Sequence, residues 1–434
     1  MVGTLIVSIL TFLWLIIAKT AFIWAPIIVM YIAFEMWHHF VTDRFILGMR
    51  WTIFEVQVPR DVEKTPMAME LILANAMYHA SMKGLWEVWI QGAPHFWFSL
   101  EMAGIDGAVH FYVRSPSRIR DLVETQIYAQ YPQAKVIEVD DYSMVVPYDA
   151  PNKDWYIWGC EFALEKHDAF SIKTYKDFGL DKPSDKEQQK IDPLTPTIEF
   201  LGSLKRGEQI WIQHVIRPSK KVYHSHVTGK HQGWVDEVRE EVQRQLAPYT
   251  RYVEYTPGNK DQIAPLFSPP RLVETTIAKM EEKIMKLGFD IGTRVIVACE
   301  TKYVSQADFD GLRRAVRLLF RQYANPNFNG FVRINSTQFD QPWADPTGLA
   351  LYKLKNRMLN WYRLRIFFHP PFWLSFNYPK LFQLLLIPSN KVTINVLNVE
   401  EIATIFHFPG QVSQAPSFRR VESRVSKPPS NLPM

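Results

Sequence analysis

Two cysteines in 434 residues are too few for a disulfide framework, and Cys160 and Cys299 lie far apart in sequence. That scarcity excludes a Cys-based metal site and fits a reducing compartment. A phosphate-binding loop is also missing. Gly202 and Gly207 have the G-x-x-x-x-G spacing, but Glu208 and Gln209 stand where a lysine must reach the phosphates and a hydroxyl must hold magnesium. A strand is expected after Gly207 where that loop needs a helix, so nucleotide hydrolysis by this chain is not expected. No Ser/His/Asp or Cys/His arrangement is legible, and the acidic pairs Asp140-Asp141 and Glu281-Glu282 read as strand or helix surface. A formal net charge of +5 is mild for the length and does not by itself imply a nucleic-acid partner.

What the chain has in quantity is apolar sequence. Hydrophobic residues make up 47% and aromatics 14%, which excludes wholesale disorder, and the length calls for two or three domains. Residues 1–37 are almost wholly apolar, broken by Lys19 and Pro26. About 20 such residues span a bilayer, so a retained membrane anchor is expected over residues 1–40. A secretory signal peptide fits less well, because the basic start and the small-residue cleavage site are missing. Arg44 and Arg50 follow the anchor, which would put the rest of the chain on the cytoplasmic side of the inner membrane. One pass or a short hairpin are both open readings.

From Trp51 the pattern changes. TIFEVQV alternates as a strand, and Thr65-Pro66 opens a helix. Phe96, Phe98 and Leu100 alternate with Trp97, Ser99 and Glu101. After an Asp106-Gly107 turn, Val109, Phe111 and Val113 point one way and His110, Tyr112 and Arg114 the other. Ser115-Pro116 predicts a capped helix carrying Ile119, Leu122, Val123, Ile127 and Tyr131 on one face, and KVIEV returns as a strand. Strand, helix, strand, strand, helix, strand is the ferredoxin-like βαββαβ plan.

Residues 176–197 are polar and proline-interrupted and read as a linker. A second α+β region follows: a strand EQIWIQHVIRP, a helix WVDEVREEVQRQL, and a helix with Val273, Ile277, Met280, Ile284 and Leu287 on a narrow seam closed by Gly288. Then come a strand TRVIVACE, a helix started by Ser305 and Asp308, and the strands GFVRIN and VTINVL. No internal repeat is legible. Residues 411–434 form a proline-rich basic tail. The expected fold class is thus α+β: a transmembrane segment (1–40), a ferredoxin-like domain (51–175), a linker (176–197), a second α+β domain (198–410) and the tail.

Three clusters could carry chemistry. His214, His224, His226 and His231 crowd one stretch, and His224 and His226 form an H-x-H that two imidazoles on a strand could offer to a metal. The competing reading is a polar loop, and no third ligand can be assigned, so no metal or cofactor is expected. Arg313, Arg317 and Arg321 step by four with Arg314 beside them, a stripe that could meet phosphates or an acidic partner, or form a solvated face. Lys353, Lys355, Arg357, Arg363 and Arg365 lie among Trp361 and Tyr362, a mixture that suits nucleic acid or a packed helix with snorkelling side chains.

The segments HFYVRSPSRIRDLVETQIYAQYP, GEQIWIQHVIRP, VETTIAKMEEKIMKLGFDIGTRVIVA and NVEEIATIFHFPG, with the closing KPPSNLP, point to a family. In that order they resemble the N-terminal, membrane-anchored, non-ATPase region of conjugation and type IV secretion-like ATPases of Gram-positive and candidate-phylum bacteria. In those relatives a segment like KPPSNLP leads into the P-loop ATPase domain. Here the chain closes at Met434, so the family's nucleotide-binding residues have no counterpart. The resemblance implies a non-enzymatic anchoring and assembly region whose motor is a separate chain or a truncated neighbour. Its implied partners are the membrane, a P-loop ATPase of a translocation complex, and further copies of itself. The alternative is a membrane-tethered adaptor that binds DNA through the basic helices.

Overall fold

The structure is a computed structural model that describes residues 2–59, 64–78, 84–147, 154–181, 192–219, 222–224, 231–254, 263–324, 328–338, 345, 347–369 and 394–410. The chain forms two compact units, one built from residues 1–49, 81–94 and 370–388, the other from residues 50–80, 95–369 and 389–434.

The first unit is dominated by one helix, α1 (Val2–Gly48), with Pro26 inside it. Among the described residues no helix is long and apolar enough to cross a membrane, which overturns the transmembrane segment expected over residues 1–40. The described part of α1 mixes Lys19, Thr20, His38, His39, Thr42, Asp43 and Arg44 with its apolar residues. Its last turns also pack against protein. Phe34 and His38 lie 5.5 and 4.9 Å from the Trp89 ring, and Thr42 and Asp43 are buried. A Cβ on Gly92 would stand 2.6 Å from the Thr42 nitrogen, so only glycine, at φ +67°, lets that loop close on the helix. Trp89 itself belongs to a short helix, α2 (Leu85–Trp89).

The second unit is built on a nine-stranded sheet. Its first part is β1 (Trp51–Gln57), a helix α3 (Met67–Ile72), β2 (Phe98–Ile105), β3 (Ala108–Pro116), α4 (Arg120–Gln130) and β4 (Lys135–Glu138). These strands lie side by side in the order β2-β3-β1-β4, all antiparallel. Asp106 and Gly107, both at positive φ, close the β2–β3 hairpin. Ser115 does not cap α4. It pairs with Thr52 as part of β3, and the helix begins only after a turn of 3₁₀ at Ser117–Ile119.

The second part repeats the first. It comprises β5 (Trp155–Leu164), α5 (Thr195–Gly202), β6 (Glu208–Pro218), β7 (Gly288–Glu300), α6 (Gln306–Ala315) and β8 (Phe331–Ile334), with sheet order β8-β5-β7-β6. In both halves the second strand takes one edge, the fourth the other, and the first and third fill the middle. The halves join where β2 pairs with β6, Phe98 opposite Ile216 through Ile105 opposite Gln209. The strands flanking residues 176–197 therefore belong to one sheet.

An insertion between β6 and β7 carries two small hairpins and two packed helices, α7 (Trp234–Leu246) and α8 (Arg271–Ile284). Val238, Val242, Ile277 and Met280 form a small core there together with Ala169, which follows β5. Gly288 does not cap this last helix. It opens β7, and a Cβ there would stand 2.6 Å from the Trp234 ring. After β8 come α9 (Leu349–Leu364), a last strand β9 (Asn395–Asn398) paired with β7, and α10 (Val399–Ile405).

Period-2 alternation divides the sheet into two buried faces. Val109, Phe111 and Val113 of β3, with Ile210, Ile212 and Ile216 of β6, enter the larger core with α3, α4 and α10. On the opposite face Trp211, Ile296 and Ala298 pack under Met358, Leu359 and Tyr362 of α9. Burying side chains of this size contributes about 1.5–3 kcal/mol each, so both layers stabilise the sheet. The tail 411–434, including KPPSNLP, lies outside the described residues.

Candidate functional site

The densest polar chemistry lies on the face covered by α9, at the seam between the halves. The register sets Glu101 of β2 opposite Gln213 of β6, both fully buried. A carboxylate there must be neutralised, because an isolated buried charge is very costly. The cation is Arg365, just past α9, in the left-handed region at φ 51°. Its guanidinium donates from Nε and Nη2 to the two Glu101 oxygens at 2.9 and 3.0 Å, and also to Asp141. Glu101 accepts further hydrogen bonds from Ser99 at 2.5 Å, Gln213 at 3.1 Å and the Tyr142 hydroxyl at 2.7 Å. Tyr142 has thereby used its one proton, so in the 2.6 Å contact between the two hydroxyls Tyr362 is the donor.

Burial alone would raise the Glu101 carboxyl. The positive charge of Arg365 and the hydrogen bonds from Arg365, Ser99 and Tyr142 outweigh it and hold the group below the usual range. Asp141 is held low by the same balance. Tyr142 and Tyr362 go the other way, raised by burial and by the charge of Glu101. Beside them Arg114 lies over the Trp51 ring at 4.1 Å and is pushed down to about 9, first by burial and then by the charge of Arg365.

A second arginine fixes the other side of the same helix end. Arg294 of β7 stands opposite Glu161 of β5 and donates to it at 2.7 Å, and to the carbonyls of Trp361 and Ile366 at 3.1 and 2.8 Å. Gly292 leaves room for the Phe367 ring, which a Cβ would meet at 2.3 Å.

A third buried charge set surrounds α10. Lys283 and Glu401, both buried, meet at 3.1 Å, and Asn398 forms a reciprocal cap with Glu401. His407 faces the carbonyl of Ala403 through Nδ1 at 2.8 Å and Asp192 through Nε2 at 3.2 Å. A carbonyl only accepts, so Nδ1 carries a proton. Burial alone would raise the Asp192 carboxyl, and His407 together with the Leu194 backbone N–H outweighs it and holds the group low.

The residues singled out from sequence are distributed differently. Arg313 is half-buried, bonded to Gln338 at 2.8 Å and to Asp310 at 3.0 Å, while Arg314, Arg317 and Arg321 are exposed. Helix α6 ends at Ala315 and continues as 3₁₀ turns at Val316–Leu318 and Arg321–Tyr323, so the four-residue step does not follow one α-helix. In the basic aromatic segment Trp361, Tyr362 and Arg365 are buried, and Arg363 donates to backbone carbonyls of Ser143 and Val146. His214 is buried in the larger core, with Nδ1 3.0 Å from the Thr293 hydroxyl. His224 and His231 stand opposite each other in a small hairpin, and His226 lies outside the described residues. Among the described residues no group of three potential metal ligands converges. Gly207 is a turn residue just before β6, with its N–H donating to Asp106.

Glu101, Glu161 and Arg294 were not singled out from sequence, Asp141 was read as surface, and Arg365 was named only as part of a basic aromatic segment. The available signal was a charged or amide residue interrupting an apolar strand: Glu101 in FSLEMAGI, Gln213 in IWIQHVI and Arg294 in TRVIVACE. A groove of about 480 Å³ between α7 and α8 is lined by Arg239, Gln243, Glu281 and Met285 among others. It brings no nucleophile against a base. Chemically, the seam binds the chain to itself: the lone pairs of Glu101 are taken by internal donors. No family model matches this chain, and no curated protein matches it.

Proposed function

We propose that this chain is a non-catalytic scaffold and assembly component of a type IV secretion-like or conjugative translocation system, positioning a separate P-loop ATPase. The observation that carries the reading is where the resembling segments fall. HFYVRSPSRIRDLVETQIYAQYP covers most of β3 and all of α4, GEQIWIQHVIRP covers β6, and VETTIAKMEEKIMKLGFDIGTRVIVA covers most of α8 and β7. NVEEIATIFHFPG covers α10. The likeness thus follows the elements that hold the sheet together. The buried ionic groups support the same reading, since each is engaged in joining one element to the next.

The test is affinity capture of the tagged full-length chain from its own cells, with identification of what is retained. A P-loop ATPase encoded near this chain is expected among the retained proteins, and lost when the tag alone is used. Repeated capture without any ATPase would remove the proposal.

A further inference from the structure

The central sheet ends in two short strands of complementary character. Eight strands lie on the path from β8 to β4, every pairing antiparallel, and among the described residues each end strand has one neighbour. With an even number of alternating strands, β8 and β4 run in opposite directions. A second copy placed beyond either end therefore continues the antiparallel ladder.

The faces match as well. Val136 and Glu138 of β4 lie opposite Val56 and Phe54, which belong to the larger core or its face, and Phe331 and Arg333 of β8 lie opposite Leu164 and Phe162 of the same face. In an antiparallel ladder with Arg333 opposite Glu138, Val332 meets Val139 and Ile334 meets Ile137 on the other face. Every side chain then keeps the face it already has.

Charge selects which ends meet. β8 carries Arg333, whose guanidinium lies over the Trp158 ring of β5 at 5.8 Å, and Arg333 and Arg317 both act on Cys160 of that strand. Arg333 places one guanidinium nitrogen, Nη1, in a buried position with no partner. Around β4 stand Lys135, Glu138 and Asp140, all exposed, and Glu138 meets Arg120 at 3.3 Å in an open pair. Such a pair exchanges readily, because exposed ion pairs are worth little. Joining β8 to β8 with Arg333 opposite itself sets arginines together, whereas Glu138 of β4 offers Arg333 a carboxylate. Short charged edges ordinarily prevent pairing, but that device works by like charges, and Glu138 and Arg333 differ in sign.

We propose that copies of this chain associate head to tail, β4 of one copy adding to β8 of the next with Glu138 against Arg333. The proposal rests on the sheet alone and stands or falls independently of the ATPase partner. A contact of this kind is heterologous, so it builds a ring or a filament according to the rotation between neighbours.

The experiment uses full-length chains carrying Val332→Cys or Val139→Cys and a short bifunctional thiol crosslinker. Both native cysteines are buried and leave a low background. A mixture of the two variants is expected to give a cross-linked dimer, each variant alone none, and the doubly substituted chain a ladder of oligomers. No product in the mixture, or equal product from one variant alone, overturns the proposal. Glu138→Arg, at an exposed position, is expected to lower the yield about tenfold. Arg333→Glu on the opposing copy is expected to restore it. A yield unmoved by Glu138→Arg overturns the charge-selected register.

Discussion

Replacing Arg365 by methionine is expected to destabilise the second unit by about 3–5 kcal/mol, the range for breaking a buried ion pair from one side. The guanidinium is fully buried and is the only arginine donating to Glu101 among the described residues, with two nitrogens on its carboxylate and further bonds to Asp141. Without it Glu101 keeps Ser99, Gln213 and Tyr142 as donors but loses the cation bonded to it, leaving Arg114 as a more distant charge. The carboxyl then has to take up a proton, or α9 has to lift and admit water. The partner substitution separates charge from packing. Glu101→Gln combined with Arg365→Met removes both ions, and most of the loss is expected to return, because neutral replacement of a whole buried pair is often tolerated. Asp141 keeps partial access to water and needs no replacement. Urea unfolding of the three variants reads the energies directly. A cost below about 1 kcal/mol for Arg365→Met, the size of an exposed pair, would mean that α9 does not seal the seam. The left-handed backbone at Arg365 gives a second handle. Arg365→Gly relieves the backbone while removing the ion pair, and it is expected to be nearly as damaging as methionine, since about 1 kcal/mol of strain relief is small beside the pair.

His214 governs the second large effect, an acid-sensitive loss of stability. Burial pushes its imidazole down to about 3, and its Nε2 has no hydrogen-bond partner. In the unfolded chain the same group titrates near 6.5. The folded state therefore holds it neutral while the unfolded state protonates. Its contribution is fully present above pH 6.5 and is lost progressively as pH falls toward 3. At pH 4 the difference amounts to about 3 kcal/mol. His214→Leu is expected to abolish this part of the acid slope while costing little at pH 7, where among the described residues the bond lost is the one to the Thr293 hydroxyl. The measurement is the change in urea midpoint between pH 7 and pH 4, variant against wild type. Equal changes in both would show that water reaches the imidazole. The paired carboxylates Glu101, Asp141 and Asp192 also weaken the fold in acid, and they do so equally in both proteins.

The parts of the fold legible in sequence were those whose pairing is local. The β2–β3 hairpin and the helix carrying Val123 and Ile127 repeat at short range, so two-residue and four-residue periods betray them. The cap that the Ser305 hydroxyl makes by accepting from the Asp308 N–H was visible for the same reason. The duplication was hidden because its second copy is split. Residues 219–287 separate β6 from β7, where β2 and β3 are joined by two residues. The seam was hidden because Arg365 and Glu101 stand 264 positions apart, and a lone buried glutamate looks like one more residue on a solvated face. The basic aromatic segment misled in the same way: composition cannot say that Arg365 turns inward. The apolar start of the chain suggested a bilayer, but side-chain hydropathy does not report what covers a helix. Near Trp89 the cover is protein.

The account stands on one continuous sheet formed from two ferredoxin-like halves, and amide hydrogen exchange along the β2–β6 ladder tests it most directly. In dilute protein the amides of Phe98–Ile105 and Glu208–Arg217 that bond across the seam are expected among the slowest in the chain, exchanging only through global unfolding. Seam amides that exchange as fast as those at the ends of the sheet, in β4 and β8, would mean that the halves are separate domains and would contradict the account.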